Sequence, residues 1–172
     1  LQALVKSGLD VRGKRVVLAG SGPLLLAVAD LLREREATVV LIAEQADAAA
    51  VRRFGLKLAT RPAKLMQALA LKARLAMVPY LTGCWVERAE GDEQLKSVMV
   101  NQGGRRWRVE CDWLGTGYGL IPSTELAGLL GCETGRDGVV VDAMQQTSVE
   151  VVYCAGEATG IGGVDKSVVE GE

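Results

Sequence analysis

The sequence has no histidine, a single phenylalanine and only four cysteines in 172 residues. Without histidine, a zinc site would need all four thiolates. Cys84, Cys111, Cys132 and Cys154 are scattered and form no C-x-x-C pair, so no metal site is expected. They read as reduced, mostly buried thiols of a cytoplasmic protein. A charge excess of either sign is missing too. The net charge of −1 gives no electrostatic reason to expect nucleic acid or an anionic membrane as a partner. Long apolar runs are also lacking. The longest nearly uncharged stretch, residues 16–29, is interrupted by Gly20, Gly22 and Pro23 and is too short to span a bilayer. No basic-then-apolar leader is visible. The chain opens on Leu1 instead of an initiator Met, which reads as a section trimmed or excised from something longer.

What is abundant is Val, Leu, Ala and Gly, with aromatics at 4%. That composition fits an α/β protein with buried parallel strands, and the length suits one domain, or one domain plus part of another. After a short helix and turn ending at Gly13, residues 14–19 form a compact β-branched run, expected to be a buried strand. Gly20-Ser21-Gly22-Pro23 breaks it, residues 24–36 read as a helix, and residues 37–43 as a second strand closed by Glu44. Strand, glycine turn, helix and strand in about thirty residues is a βαβ unit with parallel strands. Residues 46–54 and 62–76 read as two further helices. Residues 82–89, 95–101 and 105–114 read as three strands of an antiparallel meander that returns to the main sheet near Trp113. Residues 115–119 read as a flexible link, followed by a short helix to Leu130, strands at 138–142 and 150–155, and a helix from about Val164.

Gly20-x-Gly22-x-x-Leu25 follows a strand and opens a helix. The first glycine permits a tight turn and the second lets a pyrophosphate approach the backbone. The helix N-terminus then offers unpaired N–H groups and the positive end of its dipole. Glu44 stands at the spacing at which a carboxylate accepts hydrogen bonds from both ribose hydroxyls. It would repel a 2′-phosphate, which favours NAD over NADP. Leu25 takes the place of the third glycine and is expected to push the helix outward or alter the phosphate pocket. A second constellation lies at residues 147–157, where an apolar run ends in Gly156-Glu157 before a helix near Val164. A site at a strand end and a glycine-rich surface turn are both open there.

The segments GSGPLLLAVADLL, LGTGYGLIPSTELAGLLGC and TSVEVVYCAGEATGIGGVDKSVVEG resemble the two-dinucleotide-domain flavoproteins of the pyridine nucleotide-disulfide oxidoreductase superfamily. Within it they are most similar to the FAD-containing subunits of opine oxidases, hydrogen cyanide synthase and dye-linked amino-acid dehydrogenases. The resemblance implies an α/β fold: a Rossmann-like parallel sheet flanked by helices, with an antiparallel meander, then part of a second, FAD-type α/β domain. Residues 1–114 would be the nucleotide-binding domain and residues 115–172 the C-terminal part of the FAD-binding domain. The family places Asp at the position of Glu157, where it contacts the flavin ribitol. Cofactor-binding candidates are Gly20, Ser21, Gly22, Pro23, Leu24, Glu44, Gln45, Gly117, Gly156 and Glu157, with FAD in the full-length protein and NAD or another adenine nucleotide, such as ATP or ADP, at the Gly20/Glu44 site. No catalytic acid, base or nucleophile is identified.

The function this implies is a section of an FAD/NAD(P)-dependent oxidoreductase that oxidises a C–N bond of a small amino acid or opine, inactive as a fragment and working with a partner subunit. An NAD(P)H-dependent flavoprotein reductase and a non-catalytic adenine-nucleotide-binding module are the alternatives. The incomplete FAD domain is expected to leave apolar strand edges exposed within residues 115–172.

Overall fold

In the computed structural model residues 1–172 are described, the side chain of Gln2 excepted. They form two units, Leu1–Gly119 and Leu120–Glu172. The elements of the first unit, in chain order, are α1 (Gln2–Lys6), β1 (Arg15–Gly20), α2 (Leu24–Glu34), β2 (Thr38–Glu44), α3 (Ala48–Leu58), α4 (Pro62–Arg74), β3 (Tyr80–Thr82), β4 (Cys84–Gly91), β5 (Leu95–Gln102), β6 (Arg105–Glu110) and β7 (Trp113–Gly117). Four strands make a parallel sheet in the order β3-β2-β1-β7, and three make a sheet in the order β4-β5-β6. The pairings of β1 with β2 and β7 are parallel, and those within the second sheet are antiparallel.

β1 is apolar at every position from Val16 to Ala19 because both of its faces are covered. Val16 and Leu18 join the cluster of Leu25, Ala29 and Leu32 on the helix side. Those three residues recur at the four- and three-residue spacing that lines one face of a helix. Val17 and Ala19 point the other way, into a cluster with Cys84, Val98, Val100 and Cys111 of the meander region. The parallel sheet is therefore sandwiched between helices and the antiparallel sheet. Full burial of each Leu or Val contributes about 1.5–3 kcal/mol. The register of β1 on β2 jumps from Val16↔Val39 to Val17↔Leu41. Val40 is thus an extra residue, a bulge that lets Val40 and Leu41 both serve the meander side.

Two of the strands expected from the sequence divide. Residues 82–89 do not form one strand: Gly83 has φ +61° and turns the chain out of β3, which pairs with β2, into β4, which pairs with β5. The run 105–114 breaks at Cys111-Asp112 for a similar reason, because β6 and β7 belong to different sheets. Asp112 pins that crossing. Its N–H donates to the Arg15 carbonyl at 2.8 Å. Its carboxylate accepts from the Arg15 N–H at 2.8 Å and from the guanidinium at 2.9 Å. Residues 115–117, read as a link, are the second half of β7, so the boundary expected at 114 falls inside a strand.

The second unit contains α5 (Glu125–Leu129), a 3₁₀ turn (Gly156–Thr159) and α6 (Val164–Gly171). The strands expected at 138–142 and 150–155 are not ladders. The pairs Thr134↔Val139, Val141↔Thr147 and Gln146↔Tyr153 are isolated bridges, and Val151 at φ +60° interrupts the second run. Cys132 and Val139 are buried, whereas Ile121, Leu126, Leu129, Val151, Tyr153 and Val169 are exposed. Among the described residues no helix is long and apolar enough to cross a membrane.

Candidate nucleotide-binding site

The site is built at the carboxyl ends of β1, β2 and β7, where the sheet order reverses direction around β1. Gly20 closes β1. A Cβ there would stand 2.1 Å from the Gly117 carbonyl oxygen, so any side chain would collide with β7. The next residue secures the same approach: the Ser21 N–H donates to the Gly117 carbonyl at 2.9 Å. Gly22 has φ +99° with open space around its Cβ position, leaving the outer face of the turn accessible to a ligand.

Pro23 precedes α2 and contributes no N–H. The Leu24 N–H has no acceptor among the described residues, and with the positive end of α2 it gives an anion-binding point. Leu25 is buried against the sheet. Its Cδ2 lies 4.0 Å from a Cβ built on Gly117 of β7, an ordinary van der Waals separation.

Glu44 ends β2 and is only 2% exposed. Its carboxylate reaches back to the turn. Oε2 accepts from the Gly22 N–H at 3.0 Å and from the Tyr80 hydroxyl at 3.3 Å, while Oε1 accepts from the Ala46 N–H at 3.0 Å. Tyr80, which the sequence reading did not select, arrives on β3 through the register Ile42↔Tyr80. Burial, with the adjacent Glu44 carboxylate, pushes its phenol well above the ordinary value, so it stays a protonated donor. The Lys72 ammonium lies 5.8 Å from the centre of its ring. Gln45 is exposed, and its N–H donates to the Gly20 carbonyl at 2.8 Å, tying the end of β2 to the turn.

A cleft of ≈ 350 Å³ opens beside this turn. Ser21, Gly22, Pro23 and Glu44 form one end, and Val51, Phe54, Leu65 and Leu69 of α3 and α4 form apolar walls. Asp47 caps α3 by accepting the Ala50 N–H at 2.6 Å. The arrangement can receive an anion at the start of α2 and an apolar group in the cleft, while the Glu44 carboxylate is held by its three donors. On the meander side of the sheet, burial raises the Cys84 and Cys111 thiols, the opposite of what a reactive thiolate needs. No cluster of three or more metal-ligating side chains is assembled among the described residues.

Gly156 and Glu157 lie in the second unit. The Gly156 N–H donates to Glu170 at 2.9 Å, and the Lys166 ammonium donates to the Gly156 carbonyl at 3.1 Å. Lys166 also pairs with Glu170 at 2.7 Å and holds its carboxyl below the usual range. α6 therefore meets Gly156 through side chains, and Glu157 faces solvent on the 3₁₀ turn.

A family model described as pyridine nucleotide-disulphide oxidoreductase matches residues 2–171. The chain is 31% identical to the hydrogen cyanide synthase subunit HcnB of Pseudomonas aeruginosa, over 99% of this chain and 40% of that protein. Against the HcnB of Pseudomonas protegens the identity is 30%, with the same coverage. The chain thus spans about 40% of the length of the curated relatives it matches. The thioredoxin reductase of T. acidophilum superposes with a TM-score of 0.74 at 25% identity, over 97% of this chain and 52% of that one. The Lactococcus lactis thioredoxin reductase shares the fold, with a TM-score of 0.71 at 16% identity, over 98% and 52% of the two chains. The chain belongs to the pyridine nucleotide-disulphide oxidoreductase family, flavin-dependent oxidoreductases that use FAD and a nicotinamide nucleotide.

Proposed function

We propose that the unit Leu1–Gly119 binds NAD(H). In this reading the diphosphate lies against Gly22 and the Leu24 N–H, the adenosine ribose reaches Glu44, and Gly20, Ser21, Pro23, Gln45 and Gly117 shape the turn that presents them. The observation that carries it is the placement of a buried carboxylate on the glycine turn at the carboxyl ends of two adjacent parallel strands. A carboxylate there opposes a 2′-phosphate, so NAD is preferred to NADP. Residues 120–172 are read as the C-terminal part of an FAD-binding domain, with Gly156 and Glu157 on its flavin side, while residues 115–119 stay with the first unit. The exposed apolar side chains of Leu120–Glu172 support a larger apolar complement for that unit.

In the full-length protein, bound flavin would supply two-electron redox chemistry, and this chain's part is to bind and orient nucleotide. The likeness to hydrogen cyanide synthase subunits favours a cytoplasmic oxidase-type protein that acts on the C–N bond of a small amino compound and works with a partner subunit. The structural likeness to a thioredoxin reductase favours the second reading, an NAD(P)H-dependent flavoprotein reductase, although the sequence has no C-x-x-C dithiol.

Calorimetric titration with NADH, NADPH, ADP and ATP tests the nucleotide assignment. Preference for NADH over NADPH, reversed by Glu44→Arg, is expected. Binding of ATP or ADP without NADH would move the site to a non-redox adenine nucleotide, and absence of all binding would remove the assignment.

A further inference from the structure

Glu44 is closed off before any nucleotide arrives. A carboxylate offers about four acceptor positions, two on each oxygen. On Glu44 three are taken: Gly22 N–H and Tyr80 hydroxyl on Oε2, Ala46 N–H on Oε1. A ribose diol that spans the carboxylate needs one position on each oxygen. Oε1 has one left and Oε2 has none. The carboxylate is also shielded, with the residue 2% exposed, so a ligand reaches it only if a neighbour withdraws.

The three donors differ in how readily they leave. Those of Gly22 and Ala46 are backbone amides at 3.0 Å. The Gly22 amide follows a turn held by the Ser21 N–H to Gly117 bond, and Ala46 is held by the Gly83 N–H donating to its carbonyl at 2.9 Å. The Tyr80 hydroxyl is a side-chain donor at 3.3 Å, the longest and weakest of the set. Tyr80 borders the ≈ 350 Å³ cleft, into which a ring can rotate.

Resting on the reading that Glu44 receives the nucleotide ribose, we propose that Tyr80 is a placeholder: its hydroxyl occupies on Glu44 Oε2 the position a ribose hydroxyl takes, and nucleotide binding displaces it. Tyr80 is then a specificity residue as well, because only a ligand with a hydroxyl to substitute for the phenol repays the exchange. A ligand without that hydroxyl leaves the phenol in place.

The test is calorimetry on the full-length protein and its Tyr80→Phe variant with NADH, 2′-deoxy-NADH and inorganic pyrophosphate, with Tm recorded for each. The variant keeps the ring and loses only the competing donor. NADH is expected to bind about three- to tenfold more tightly to Tyr80→Phe, with pyrophosphate affinity unchanged, since that probe lacks the sugar. A gain shared by pyrophosphate would mean a general loosening of the turn and would overturn the proposal. Unchanged or weaker NADH binding in the variant would overturn it too, the weaker case making Tyr80 a fixed support for Glu44. If the native protein binds NADH and 2′-deoxy-NADH equally, the ribose contact itself is absent, and the failure belongs to the underlying assignment.

Discussion

At the scale of single residues, the departure from the glycine pattern at position 25 is resolved by its neighbours. In the sequence Leu25 looks like a defect in a phosphate-binding motif, because only the local string is visible. In the fold its side chain belongs to the core with Leu18, Ala29 and Leu32, and its outer edge reaches Gly117 of β7, ninety-two residues later in the chain. Restoring the motif is therefore expected to harm the protein. Leu25→Gly should lose about 3–5 kcal/mol of stability in urea denaturation, from the cavity and the added backbone freedom together, with no gain in NADH affinity. The same non-locality hid Tyr80. Its role depends on β3 pairing with β2 so that residue 80 sits beside Ile42, and a three-residue strand bracketed by Pro79 and Gly83 leaves almost no periodic signal.

At the scale of elements, the β1-α2-β2 unit was legible because each part carries a local mark. β1 and β2 are apolar runs, the turn is glycine-rich, and α2 repeats its apolar positions. The meander was legible for the same reason, with glycine turns between its strands. What was not legible was sheet membership. Residues 82–89 and 105–114 are each continuous in pattern yet serve two sheets, and the switch is made by a positive φ at Gly83 and by the Arg15–Asp112 contacts. The runs at 138–142 and 150–155 alternate well enough for strands, but a ladder needs a neighbour in register, which the string does not encode. The Asp112 junction has a measurable signature. Arg15 lowers the Asp112 carboxyl from 3.8 to about 2, so the folded state binds its proton less readily than the unfolded chain. Its contribution is present above the ordinary value and is lost as pH falls from about 4 towards 2. The pair is partly exposed, so solvent screening keeps the effect small. Asp112→Asn is expected to lower Tm by about 2–4 °C at neutral pH and to flatten the stability profile across that acid window, as read by thermal melts at stepped pH.

At the scale of the whole molecule, the two units are unequally equipped. Leu1–Gly119 contains both apolar clusters, one on each side of its parallel sheet, while Leu120–Glu172 buries little and exposes much. The first unit expressed alone should therefore melt cooperatively and keep its near-ultraviolet dichroism. The second, expressed alone, should bind the dye ANS and show no cooperative transition; a sharp melt from residues 120–172 would contradict this. The close pairing of β1 with β7 at Gly20 and Gly117 has a wider consequence. With the Gly117 oxygen 2.1 Å from where a methyl group would begin on Gly20, the opening letter of the nucleotide fingerprint is spent on letting two backbones pass. A variant that had given up its cofactor would still be obliged to keep it, so a glycine at that place testifies to architecture before it testifies to cargo.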